Sequence, residues 1–311
     1  MSDTKAISKD AAAPAVDTSI NRFIVFNTLF YILNSAATYA VQFGWVNLPD
    51  NGTLSDKYQT ILTPWGTSFS IWIAIFMYQL LWVIWQWLPS QRNSEGVMRA
   101  WYFYPIFSTF QAGWTYSFAN EIMWLSLVCM YGILVALVSA SMSLQKYKKK
   151  LGGYLLWQGP FSLQTGWIIA ASAVNTNVLP VFYGASAQTQ IIVASVTLAV
   201  LVTVHFSWLS SYPVDFAIPC VIVWALGGVY GELSGPRRDE PLQPIITETF
   251  SEKQISGMRT AVLVCLIVGG SGIIAKLLYV LLKQRPEALK AEQEKESASE
   301  NSESEEPQES V

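Results

Sequence analysis

The sequence predicts an all-α, polytopic membrane bundle of about eight transmembrane helices, with both termini in the cytoplasm. Three observations predict it. Only 13% of the 311 residues are charged, against about 25% in a soluble domain. Aromatic residues reach 14%, including 13 Trp, and amphipathic rings of this kind settle at headgroup depth. The charges also leave long windows free, and a spanning helix needs about 20 mostly apolar residues. Together these exclude a soluble enzyme, a disulfide scaffold and a wholly disordered chain.

The windows place the elements in order. Phe23 to Trp45 is the first span, and Gly66 to Leu88 is the helical part of the second window. Ala100 to Asn120 and Ile122 to Gln145 flank a single charge, Glu121, which reads as a tight hairpin. Leu151 to Val214 holds no Asp, Glu, Lys or Arg, too long for one helix. Pro180, Gly184 and the polar run Ser186 to Gln190 divide it, giving helices over about Tyr154–Asn177 and Gln190–Leu209. Asp215 to Glu232 supplies a seventh span and Arg259 to Leu282 an eighth.

Lys and Arg test this count. With cytoplasmic termini, thirteen of them fall on that side, among them Arg92, Arg99, Lys146 and Lys150, and only Lys57, Arg237, Arg238, Lys253 and Arg259 fall opposite. The split obeys the positive-inside rule. The sequon Asn51-Gly52-Thr53 falls in the first non-cytoplasmic loop, so Asn51 is a glycosylation candidate. Residues 1–20 mix Lys5 and Lys9 with Asp3, Asp10 and Asp17 and show no secretory-signal pattern. They read as a flexible tail, and the first span is expected to act as its own insertion signal. Residues 283–311 carry much of the acid behind the net charge of −3 and read as an acidic disordered tail. Between them lies a membrane domain over 21–282. Cys129, Cys220 and Cys265 each sit alone in an apolar run, which supports neither a metal site nor a disulfide framework.

The tryptophans divide. Trp45, Trp65, Trp82, Trp85, Trp87, Trp101, Trp124, Trp157 and Trp208 fall near helix ends and read as an interfacial belt. Trp72, Trp114, Trp167 and Trp224 lie deeper, where an indole N–H needs a partner. They are expected to face other helices or a cavity. Amides inside spans point inward because they cost free energy in lipid. Asn27, Asn34 and Gln42 form one stripe of the first helix, and Gln79, Gln111, Gln164 and Asn175 can meet them in the interior. The ionisable groups His205, Asp215 and Lys276 fall toward the cytoplasmic ends of the last three spans and form a candidate polar cluster.

Catalytic sets are missing from the sequence. One His cannot support a His-rich di-iron site, and no GxSxG, HExxH or phosphate-cradling Gly loop occurs. The expectation is therefore a non-enzyme with no metal and no obligatory cofactor. Gly227xxxGly231 and the Gly269–Gly272 stretch read as close helix contacts. Two other function classes stay open: a secondary transporter of a polar solute using His205, Asp215 and Lys276, and a membrane scaffold working through its acidic tail. Ser297-x-x-Glu300 and Ser302-x-x-Glu305 suit an acid-directed kinase.

Particular strings then become informative. Thr63-Pro64-Trp65-Gly66-Thr67-Ser68-Phe69-Ser70-Ile71-Trp72, followed by Tyr78 and Trp85, resembles the second helix of the tryptophan-rich sensory protein/translocator protein family. Gln111-Ala112-Gly113-Trp114-Thr115 resembles its third-helix Asn-x-x-Trp segment, with Gln where Asn is common. Pro160-Phe161-Ser162, Gly166-Trp167, Ala170 and Asn175 are similar to its fifth-helix signature. This covers about 21–177, and the string from Asp215 to Gly228 resembles longer relatives that add three helices, here 188–282. The resemblance implies a bundle that binds or moves a small lipophilic molecule of the tetrapyrrole, sterol or isoprenoid class. Carried onto this chain, Trp65, Trp72, Trp114, Trp167 and Asn175 become pocket candidates, joined by Asn34 and Gln111 from the amide stripe. The expected partners are the lipid bilayer and a lipophilic small molecule, with no nucleic acid. A bound tetrapyrrole or lipid, a homodimer and a cytosolic partner for the tail all stay open.

Overall fold

Apolar side chains at helical spacing, with polar ones confined to one face, dictate helices that bury their amides against one another and turn aliphatic faces outward. The computed structural model describes residues 19–235 and 244–304. Residues 1–18 of the expected N-terminal tail, the basic pair Arg237 and Arg238, and Glu305 to Val311 of the acidic tail lie outside the described residues.

The first half of the chain forms helices α1 (Arg22–Gln42), α2 (Asn51–Lys57), α3 (Ile71–Gln86), α4 (Glu95–Ala100), α5 (Phe103–Ala119), α6 (Met123–Ser143), α7 (Leu151–Gly153) and α8 (Gly159–Phe182). A 3₁₀ turn, Gly66–Ser70, leads into α3, and a π-type turn, Tyr154–Gln158, leads into α8. The second half forms α9 (Ala187–Ser210), α10 (Ala217–Leu233), α11 (Pro244–Thr249) and α12 (Glu252–Ser304).

Local chemistry sets the ends. Asn21 caps α1 by accepting from the Phe23 amide at 3.0 Å, and Asp50 caps α2 through the Thr53 amide at 2.9 Å. Ser186 opens α9 through the Thr189 amide. The α5–α6 hairpin turns at Glu121, which holds φ 59°, a left-handed conformation that costs a non-glycine residue about 1 kcal/mol. Pro180 sits inside the last turn of α8 instead of ending it. The chain reverses at Gly184, whose φ of 66° is open to glycine at no steric cost. The last helix begins two turns before the expected Arg259 and runs on to Ser304, so residues 283–304, expected to be disordered, are helical. Ala, Glu, Lys and Gln dominate that stretch and rank among the best helix formers.

α8 is the common wall. α3 and α6 pack on one side of it, with α5 joined to it through side chains and α1 beyond them, and α9 and α10 pack on the other with α12 behind them. Two cores result. The first is built from aromatic rings, including Trp82, Tyr104, Phe107, Phe161 and Trp167. The second is aliphatic, with Leu198, Ile218, Ile222, Leu226 and Val262 among its members. Large apolar side chains such as Ile73, Leu81, Val135, Val200 and Ile274 face outward, the arrangement a lipid solvent requires. Five stretches are long and apolar enough to cross a bilayer: Arg22–Gln42, Gly66–Gln86, Met123–Ser143, Ala187–Ser210 and Glu252–Lys283, with Ala217–Leu233 apolar but shorter. α8 falls short by composition and α5, at 17 residues, also by length; neighbours cover both, and they carry buried Gln111, Gln164 and Asn175. The protein is a multi-pass, all-helical integral membrane protein.

Three tryptophans depart from the sequence expectation. Trp82 and Trp157, assigned to the belt, are buried; Trp82 stacks on Tyr104 at 5.0 Å. Trp224, expected to be deep, is 51% exposed. Its N–H finds the carbonyl of buried Ser68 at 3.2 Å, so the indole reaches inward to a backbone partner while half of the residue stays exposed.

Candidate functional site

The buried amides meet as a chain. Tyr104 donates its hydroxyl to Gln79 Oε1 at 3.0 Å, Gln79 donates to Gln164, and Gln164 donates to Gln111 Oε1 at 2.6 Å. Asn27 reaches Gln86 at 2.7 Å. α3, α5 and α8 are thereby tied together through groups that lipid could not satisfy.

Above this chain, toward the end of the bundle that carries α2, lies a cavity of about 680 Å³, within the range of small-molecule sites. Trp65, Trp72, Gln111, Trp114, Trp167 and Asn175 all line it. Asn34 does not; the neighbouring turn contributes Thr38 and Tyr39. Asn34 is buried with both amide atoms unpartnered.

Each wall residue is positioned by packing. The Trp114 N–H donates to Asn175 Oδ1 at 3.0 Å, and the Trp114 ring stacks on Phe118 at 5.5 Å. Trp167 stands edge-on to Phe69 at 5.5 Å and to Trp72 at 6.3 Å, a geometry aromatic quadrupoles favour. Trp65 is fixed by its backbone, whose N–H donates to the Gly228 carbonyl at 3.0 Å. Only glycine fits there: a Cβ on Gly228 would lie 2.1 Å from Ser68 Oγ and 2.9 Å from Pro64 Cβ. α10 therefore closes directly on the segment that carries Trp65.

The mouth is formed by α2 and the residues after it. Lys57 bonds Glu121 at 2.7 Å, and the Tyr58 hydroxyl donates to the same carboxylate, tying α2 to the α5–α6 turn. The Lys57 bond, then the Tyr58 bond, holds the Glu121 carboxyl below its ordinary pKa, and Glu121 raises the Lys57 ammonium above its own. Asn51, the glycosylation candidate, also lines the cavity, and its Oδ1 is buried without a partner. A glycan there would compete with the contents of the cavity for space.

Two wall residues escape sequence reasoning. Gln59 and Glu232 line the cavity and meet at 2.7 Å, the Gln59 Nε2 donating to Glu232 Oε1. They are 173 positions apart, so no local spacing could pair them. The available signal was that Glu232 is the first acid after Asp215, at the end of an otherwise uncharged span.

His205, Asp215 and Lys276 take different partners. Asp215 accepts from the Tyr154 hydroxyl at 2.9 Å and from Ser162 Oγ at 2.5 Å, which ties the start of α10 to the start of α8. His205 is buried against Gly269 with both ring nitrogens unpartnered. Lys276 stands over the Tyr279 ring at 5.8 Å. Among the described residues no group of three or more His, Cys, Asp or Glu could hold a metal ion.

A family model described as TSPO-like protein matches residues 24–251. No curated protein and no solved structure matches the chain.

Proposed function

The chain belongs to the TSPO-like protein family, and from that premise we propose that it binds, or passes across the bilayer, a small lipophilic ligand held in the cavity under α2. The ligand is flat and of the tetrapyrrole, sterol or isoprenoid class. The role is binding or passage, not catalysis. One observation carries the reading: six residues singled out from three separate stretches of sequence converge on one cavity. Aromatic faces give a flat ligand area at little entropic cost, and the bonded amides beneath close the floor.

The same reading has all eight long helices crossing the membrane with both termini cytoplasmic. α5 and α10, at 17 residues each, are about 25 Å long, at the short end of what spans. The cavity then opens at the non-cytoplasmic face.

Titration of the purified protein with etioporphyrin, a tetrapyrrole without carboxylates, tests the site through Trp fluorescence. Saturable quenching that weakens in Trp114→Phe and Trp167→Phe is the expected result. Quenching that rises linearly, as partition into detergent gives, or that both variants leave unchanged, overturns it.

A further inference from the structure

Glu232 makes the cavity chemically asymmetric. It is 6% exposed, lies on the wall, and its Oε1 takes one bond, from the neutral Gln59 amide. No hydrogen bond reaches its Oε2 among the described residues. Gln59 is itself 4% exposed, and having given its N–H to Glu232 it keeps a buried Oε1 with no donor. This corner therefore holds acceptors in excess of donors. No Lys, Arg or His lines the cavity among the described residues, whereas Asp56 at the mouth adds a second acid. The cation closest in sequence to Asp56, Lys57, is held by Glu121.

A carboxylate in a low-dielectric wall with one neutral partner lacks the charge that would offset its desolvation. A ligand can supply it. Resting on the reading of this cavity as the ligand site, we propose that it selects lipophilic ligands that carry a protonated amine, with Glu232 as their counter-ion. The rest of the wall suits such a molecule. Trp65, Trp72 and Phe69 line it too, and aromatic rings attract a cation as well as an apolar body. Whichever group holds the proton beforehand, the pair that forms is an ammonium donating to a carboxylate, a bond stronger than a neutral one. The same corner repels a ligand carboxylate, so tetrapyrroles with acidic side chains are disfavoured.

A matched series separates this from mere lipophilicity: 1-pyrenemethylamine, 1-pyrenemethanol and 1-pyrenecarboxylic acid share a ring and differ only in the head. Each is titrated at pH 7 into phosphatidylcholine nanodiscs holding the full chain, following energy transfer from Trp to pyrene, with empty discs subtracted. The amine is expected to bind at least about tenfold more tightly than the alcohol, the scale of one hydrogen bond to a charged group, and the acid most weakly. Glu232→Gln keeps the shape and should bring the amine down to the alcohol, and saturable binding of the alcohol in the variant reports an intact cavity. Glu232→Asp, charged but shorter, should fall between. Equal binding of amine and alcohol, a preference that survives Glu232→Gln, or tightest binding of the acid overturns the selectivity while leaving the cavity reading in place. If none of the three saturates, or Trp114→Phe changes nothing, the cavity reading fails and the inference with it.

Discussion

The two sides of α8 solve the same problem differently. Helices α1 to α6 bury rings and amides, with Trp82, Tyr104, Gln79, Gln111 and Gln164 sharing one interior. α9, α10 and α12 bury Leu, Ile and Val. In lipid, burying an aliphatic side chain gains little, since the tails outside are equally apolar; packing and hydrogen bonds must hold helices together. The first half uses both, and its polar bonds fix which helix face meets which. The second half relies on close fit. The cavity lies at the seam, and the two halves contribute different things to it: the first its aromatic walls, the second its one buried acid, Glu232.

The sharpest way to break this comparison is at the seam. Gly166 on α8 faces α10, and a Cβ there would lie 2.8 Å from Val221 Cβ and 3.0 Å from the Ile218 carbonyl. A backbone atom cannot rotate away. Gly166→Leu should therefore push α10 off α8 at a cost of about 3 kcal/mol, the upper part of the range for overpacking. Thermal unfolding in detergent should show it, together with loss of saturable ligand binding, because Glu232 and the Gly228 contact with Trp65 move with α10. Unchanged melting would mean that the halves are not close-packed.

Within the first half, Gln164→Leu keeps the volume and removes the middle of the amide chain. Gln79 and Gln111 each lose a partner in a dry interior, so the variant should lose about 2 kcal/mol. Within the second half, Ile222→Val removes one methylene from a fully buried position and should cost about 1 kcal/mol. If the near-isosteric polar change proves milder than the aliphatic truncation, the contrast between the halves is wrong.

How much of this the sequence discloses follows from the same physics. Spans show because a bilayer forbids charges over some 20 residues, and the amide stripe shows because helical spacing puts its members on one face. Trp72, Trp114 and Trp167 were legible as interior residues from their depth within the spans. Trp224 was misread because depth along a helix says nothing of which way its face points, and a half-exposed indole can still reach the carbonyl of buried Ser68. Trp82 was misread in the opposite sense, its place near a helix end hiding a stack on Tyr104. Gln59 and Glu232 could not be paired at all, since their meeting depends on α10 closing against the segment before α3, a contact that exists only in the folded bundle. The helical stretch beyond Lys283 was missed because charge outweighed helix propensity in the reading.

The smallest effect sits at the mouth, where the comparison can be sharpened without touching either core. Glu121 has its pKa lowered by Lys57 and Tyr58. A carboxyl whose folded pKa is depressed contributes stability that is fully present above its unfolded value, about 4.3, and is lost as pH falls through the folded value. The tie between α2 and the α5–α6 turn should therefore hold at pH 7 and loosen only below about pH 4. Both partners are solvent-exposed, so global melting should scarcely move. The rate at which bound ligand exchanges is the sensitive readout, because α2 and the residues after it form the mouth of the cavity. Exchange should quicken on acidification in the native protein, and Glu121→Gln should be fast already at pH 7 and lose its response to acid. An acid response that persists in Glu121→Gln would assign it to another group. Glu232 is the acid buried in the cavity wall, and Glu232→Gln would then decide between the mouth and the seam.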